Sequence, residues 1–147
     1  PLVATHSNVH ALAASSRNLT DRQLDAIAER GGVVGLNYAV GFLRDDGRKL
    51  ADTPLATAVR HLAHMVERLG EGGVALGSDF DGALIPAAIG DAAGVPALAA
   101  AMRWCGASAA TTGSTCCGAH GRADRRRRRV ARNRLPGRRG RVGWTPG

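Results

Sequence analysis

Residues 1–103 predict an α/β fold built on a parallel sheet, and three features carry that prediction. Short apolar, β-branched runs recur at Leu2–Thr5, Val33–Asn37 and Val74–Ser78, too brief to be helices. Segments with helical periodicity and recognisable ends lie between them. Each run closes on or just before a polar group, at His6, Asn37 and Asp79. Three such strands cannot cover both faces of a sheet by themselves, so they are expected to belong to a barrel or a doubly wound sheet. Chemistry in such folds sits at the C-terminal ends of the strands, which is where these three side chains fall.

The first helix is announced by Thr20-Asp21-Arg22-Gln23, a capping box in which the Gln23 side chain reaches back to the Thr20 amide. Leu24, Ile27 and Ala28 supply its apolar face, and Gly31-Gly32 ends it through a left-handed cap. After the second run, Tyr38–Asp52 reads as a loop of mixed charge. Thr53 as N-cap and Pro54 at the first helical position open the next helix, whose apolar side is assigned to Val59, Leu62, Ala63, Val66 and Leu69. A last helix starts over Pro96–Trp104, with Leu98 and Met102.

The 147-residue chain has a formal charge of +8, but the charge is not spread evenly. Residues 1–103 hold 9 Lys/Arg and 11 Asp/Glu, whereas residues 104–147 hold 11 Arg and only Asp124 as an acid. The basicity therefore belongs to the tail. From Cys105 onward no hydrophobic period survives, and the run Arg125–Arg129 dominates, so residues 104–147 are expected to be disordered. One alternative makes Arg122–Arg141 a salt-sensitive nucleic-acid-binding arm; only Trp144 is then available there for base stacking. Another is a shifted reading frame. If GC-rich codons are assumed for Thr111–Cys117, after a codon ending in G, reading one base earlier gives Asp-Asp-Arg-Leu-Asp-Val-Leu, an ordinary amphipathic segment.

Cys105, Cys116 and Cys117 match no trusted zinc spacing, and residues 1–103 contain no cysteine. No run of 18 apolar residues exists to span a membrane. The opening Pro1-Leu2-Val3 leads straight into a strand, which predicts a fragment of a longer protein. Cytoplasmic placement is the expectation, with any signal peptide lying upstream of Pro1.

His6 ends a strand where a neutral imidazole suits zinc, although a lone His also serves as a hydrogen-bonded structural residue. Arg17 could clamp a carboxylate with two parallel hydrogen bonds, or be a solvated surface side chain. Asp79 and Asp81 flank Phe80, where a carboxylate can accept a proton or hold an ammonium; an Asx-type turn explains them equally simply. Gly77 and Gly82 would admit close approach of backbone or substrate. His61 and His64 share a helix face without the glutamate of a His-Glu-x-x-His motif, and are read as solvent-side or loop-contacting residues.

In order, Thr5-His6-Ser7-Asn8, Arg17-Asn18-Leu19-Thr20-Asp21, Gly31-Gly32-Val33-Val34-Gly35-Leu36-Asn37-Tyr38, His61-Leu62-Ala63-His64 and Gly77-Ser78-Asp79-Phe80-Asp81-Gly82 resemble the second half of the membrane (renal) dipeptidases. The likeness runs from Pro1 to about Arg103. It implies a partial amidohydrolase-like (β/α)8 TIM barrel, with these strands as its sixth to eighth. It also implies a site for two zinc ions at the strand ends and hydrolysis of dipeptides. By the same resemblance His6 is a zinc ligand and Arg17 binds the substrate's terminal carboxylate. Asp79 is then both substrate-binding and catalytic, engaging the amine and passing a proton. The family's His-x-Asp pair, bridging glutamate and further histidine have no counterpart here, so the isolated chain is expected to be inactive. The expected partner is a dipeptide, with no specific nucleic acid and a homodimer as one expectation for the parent. Another metal-dependent amidohydrolase, such as a cyclic-amide hydrolase, is the alternative; Arg17 favours a carboxylate-bearing substrate.

Overall fold

The computed structural model describes residues 1–112, with side chains through Arg103. Parallel strands β1 (Val3–Ala4), β2 (Val33–Asn37) and β3 (Val74–Ser78) form one sheet in the order β1-β2-β3. Helix α1 (Asp21–Ala28) crosses from β1 to β2, and α3 (Leu55–Leu69) crosses from β2 to β3. A four-residue helix α2 (Val40–Leu43) follows β2, and α4 (Val95–Thr112) closes the described chain against α3. The parallel sheet with helical crossovers agrees with the α/β expectation. No described helix is long and apolar enough to cross a membrane.

The start of α1 follows its sequence signal. Gln23 Oε1 accepts from the Thr20 backbone N–H at 2.8 Å and from the Thr20 hydroxyl at 2.9 Å. Gly31 takes φ of +59° just past the helix, the left-handed cap that its type permits. Elsewhere the boundaries move. Pro54 itself caps α3, because Thr53 turns its hydroxyl back to the Leu50 carbonyl at 2.6 Å. The expected loop Tyr38–Asp52 contains α2, whose Val40 and Leu43 are buried with Tyr38 and Ala39. Helix α4 continues to Thr112, past the end of the apolar pattern at Trp104. The rest of the tail, with Cys116, Cys117, His120 and the arginine run, lies outside the described residues, and so do the readings made of it.

Leu24 and Ile27 of α1, Val34 and Leu36 of β2, and Ala58, Val59, Leu62 and Met65 of α3 form the core, closed by Leu43 and Leu98. The outer strands are covered less well. Val3 is 66% and Leu76 47% exposed, apolar side chains that a parallel sheet normally covers. Among the described residues both are covered only in part.

The assigned face of α3 is rotated from the observed one: Ala63 is exposed, while His61 and Met65 turn inward. Of the two readings of His61 the solvent-side one is overturned, since that residue is 1% exposed, and the loop-contacting one holds. Its Nδ1 accepts from the Val9 N–H at 3.1 Å, which leaves the proton on Nε2 to be donated to the Leu43 carbonyl at 3.0 Å. Val9 lies in an irregular segment and Leu43 ends α2, so both are backbone groups that an aliphatic side chain would leave unsatisfied. His64 is partly exposed and meets Asp21 at 2.8 Å, and Arg68 meets the same carboxylate at 2.7 Å, linking α3 to α1. Burial pushes the Asp21 carboxyl up, but hydrogen bonds and charge from His64 and Arg68 outweigh it and hold it below the usual value.

Burial pushes the His61 imidazole down to about 4, from an ordinary value of 6.5. The folded state therefore resists a proton that the unfolded state accepts. This contribution is complete above pH ~6.5 and is lost as pH falls to about 4, amounting to roughly 3 kcal/mol. Asp21 loses its contribution only below the ordinary carboxylate range, outside that window. Urea unfolding at stepped pH should show the midpoint falling between about pH 6.5 and pH 4. A flat profile there would contradict a buried neutral His61.

Candidate functional site

The sheet ends deliver their polar residues to one place. A cavity of about 310 Å³ is lined by His6 after β1, Arg17 from the following loop, and Asp79 and Gly82 after β3. Ala39, Gly41, Phe42 and Lys49 supply the wall between them. The volume lies in the range of small-ligand sites. All three site residues read from the sequence thus meet; Asp81 is exposed and does not line the cavity.

The His6 ring is oriented from both sides. Its Nδ1 lies 2.7 Å from the Thr5 hydroxyl, and its Nε2 lies 3.3 Å from Nη2 of Arg17. A guanidinium only donates, so Nε2 is the accepting nitrogen and Nδ1–H donates to Thr5. The Nε2 lone pair therefore lies beside Arg17 at the cavity, in the tautomer a metal ligand requires.

Arg17 is carried by a loop that closes on itself. The Leu19 N–H donates to the Asn8 carbonyl and the His10 N–H to the Leu19 carbonyl, both at 2.8 Å. Asn18, 5% exposed, donates from Nδ2 to the carbonyls of Ala13 and Phe42, each at 2.9 Å. That ties the loop to α2. The Arg17 guanidinium lies 5.6 Å from the centre of the Phe42 ring, a cation–π placement that limits its freedom.

Asp79 follows a bulge in the β2–β3 pairing and has an unusual backbone. Ser78 and Asp79 take φ of 53° and 83°, the left-handed region that non-glycine residues seldom occupy. Asn37 Nδ2 donates to Asp79 Oδ2 at 3.1 Å. A Cβ at Gly82 would collide with Asp79 Oδ1, so close approach at Gly82 is to this carboxylate. At Gly77 the approaching group is the Thr5 carbonyl, a strand-packing contact. Phe80 stacks edge-on against Tyr38 with ring centres 5.6 Å apart, anchoring the turn to the core.

Residues 1–112 match the family model of the membrane dipeptidases, peptidase family M19. The chain belongs to this family. An uncharacterised protein from the pqqA 5′ region of Klebsiella pneumoniae is 57% identical over 103 residues, 70% of this chain and 38% of that protein. A dipeptidase, ataJ, from Aspergillus terreus is 35% identical over 103 residues, 68% of this chain and 24% of that protein. Among solved structures, a metallopeptidase from Rhodobacter sphaeroides bound to a phosphinate mimic of the dipeptide L-Ala-D-Ala is 60% identical with a TM-score of 0.69. The similarity covers 71% of this chain and 30% of that one. A family M19 dipeptidase is equally similar, at 60% identity and TM-score 0.69, with 71% and 31% covered. The chain thus spans well under half the length of these relatives. Its mixed α/β structure with a small parallel sheet is similar to M19 dipeptidase structures, and the family consists of metallopeptidases.

A resident metal needs donors. His6 presents a suitable one, yet among the described residues no three His, Cys, Asp or Glu side chains gather as a ligand set. The residues fit one ligand's share of such a site. Asn8, Phe42 and Lys49 escaped sequence reasoning: Phe42 and Lys49 lie in a segment without periodicity, and Asn8 is marked only by its nearness to His6.

Proposed function

We propose that the full-length protein is a zinc-dependent dipeptidase, and that this segment provides one metal ligand and both charged ends of the substrate site. The observation that carries the proposal is the cavity shared by His6, Arg17 and Asp79 in a chain of this family. A dipeptide at neutral pH carries a carboxylate and an ammonium about 7 Å apart when extended. Arg17 and Asp79 are the matching cation and anion. Arg17 binds the carboxylate through its planar fork, which restricts substrates to short peptides with a free C-terminus. Asp79 holds the ammonium or accepts the proton that reaches the leaving amine.

His6 is the zinc ligand in this reading, through Nε2. A bound metal supplies a Lewis acid for the peptide carbonyl and lowers the pKa of water. His6 would hold the metal through Nε2, and because one lone pair serves one partner, the Arg17 guanidinium would then be available to the substrate carboxylate. The remaining ligands come from the part of the family domain that this chain does not span. The same reasoning makes the three strands the sixth to eighth of a (β/α)8 barrel. The exposed Val3 and Leu76 side chains support this, as strands whose apolar surfaces lack cover.

The test is to assay the full-length protein against free dipeptides, dipeptide amides and N-acetylated dipeptides, before and after chelation and zinc readdition. Hydrolysis of the free dipeptides alone, abolished by the chelator and restored by zinc, is the expected result. Equal rates on the amides, or turnover indifferent to chelation, would count against the proposal. The 147-residue chain by itself is expected to give no turnover with zinc, because one ligand cannot hold the metal site together.

A further inference from the structure

We propose that Asn37 is a positioning residue for Asp79, held for that task by Asn8. What Asp79 does chemically rests on the dipeptidase reading; where its carboxylate sits rests on geometry alone. Asn37 is 2% and Asn8 0% exposed, so neither amide can exchange its partners for bulk water. Asn37 Oδ1 accepts from the Ala39 N–H at 2.7 Å, which decides the orientation of the amide and directs Nδ2 to Asp79 Oδ2 at 3.1 Å. The Asn8 side chain clasps the backbone of the same residue, donating from Nδ2 to the Asn37 carbonyl at 2.9 Å and accepting from the Asn37 N–H at 3.0 Å. These bonds occur where the β2–β3 register shifts past Leu36 and ordinary ladder pairing is interrupted.

The Asp79 backbone does not favour its own placement, because two successive residues there adopt left-handed φ values. Such a conformation persists only where surrounding groups impose it. Among the described residues, Asn37 Nδ2 is the side-chain donor that reaches the Asp79 carboxylate. A purely structural Asn37 would need only its Oδ1 and its backbone groups; Nδ2 is committed to the candidate catalytic carboxylate instead. The chain of contacts runs from a fully buried Asn8 through Asn37 to a partly exposed Asp79 at the cavity wall, rigid at one end and reactive at the other.

The experiment uses the full-length protein carrying Asn37→Ser, alone and combined with Asp79→Asn. A serine hydroxyl can still accept from the Ala39 N–H but is too short to reach Asp79. We expect kcat/KM for a free dipeptide to fall about 10- to 100-fold in Asn37→Ser. In the Asp79→Asn background the same change should cost nothing further, because its effect passes through the Asp79 carboxylate. Equal losses in both backgrounds would overturn the proposal, since a general structural defect acts whatever stands at residue 79. If Asn37→Ser fails to fold, Asn37→Thr keeps a hydroxyl acceptor for the Ala39 N–H on a residue suited to a strand end while removing the donor to Asp79 without adding a charge, and the same comparison applies. If the unmutated protein does not hydrolyse dipeptides, the dipeptidase reading fails and crystal structures decide the positioning claim. An Asp79 carboxylate displaced by about 1 Å or more in the variant supports it, and an unmoved one refutes it.

Discussion

Asp79→Asn in the full-length protein is expected to lower kcat/KM for free dipeptides by roughly 10²- to 10⁴-fold, the range for removing a positioned proton-transfer group. The substitution is chosen because it separates charge from conformation. Asp79 sits at φ of 83°, and asparagine, with aspartate, is among the non-glycine residues that best tolerate left-handed backbone. The side-chain oxygen that receives the Asn37 Nδ2 bond can remain in place. The thermal midpoint should therefore stay within about 3 °C of the starting protein. Asp79→Ala, by contrast, should lose stability as well as activity, because alanine meets the same backbone strain without a side chain to bond. Activity of Asp79→Asn within about threefold of the original would remove the carboxylate from the chemistry.

The fold was largely legible because its local signals agree with its tertiary structure. The strands at Val33–Asn37 and Val74–Ser78 stand where the β-branched runs put them, and the Thr20–Gln23 cap and the left-handed Gly31 frame α1 as their residue types require. What escaped depended on tertiary contacts. The face of α3 was misassigned because His61 counts as polar in any periodicity, whereas its burial is decided by two backbone groups, at Val9 and Leu43, remote in sequence. Helix α2 escaped because four residues are too few to display a period.

At the site, the strand-end rule marks His6, Asn37 and Asp79, and the family resemblance favours the carboxylate-clamp reading of Arg17 over that of a solvated side chain. Of the residues that orient them, Asn37 was marked by its place at a strand end, but its task and its partner were not legible. Asn8 and Asn37 lie 29 positions apart, and nothing local to either reveals that one clasps the other. Phe42 becomes meaningful only once α2 brings its ring beneath the guanidinium of Arg17. Strand grammar marks which positions stand at the strand ends, Asn37 among them, while the contacts by which a neutral group aims a charged one emerge only from the folded chain.

Arg17→Met should reduce kcat/KM for free dipeptides by about 100- to 1000-fold, as loss of a two-pronged charged hydrogen bond to a carboxylate predicts. Methionine retains an unbranched stem that can lie across Phe42, so the change removes the fork with little loss of packing. The decisive readout is a comparison of substrates. With Arg17 in place, a dipeptide should be hydrolysed far faster than its C-terminal amide; in Arg17→Met that preference should collapse toward unity, because the amide never offered the carboxylate the guanidinium recognises. Arg17→Lys should recover only part of the loss, since an ammonium restores charge without the planar fork and lacks the flat face that rests 5.6 Å from the Phe42 ring centre. Preserved amide discrimination in Arg17→Met would mean that another cation reads the carboxylate. Lys49 on the same cavity wall would then be the residue to replace next.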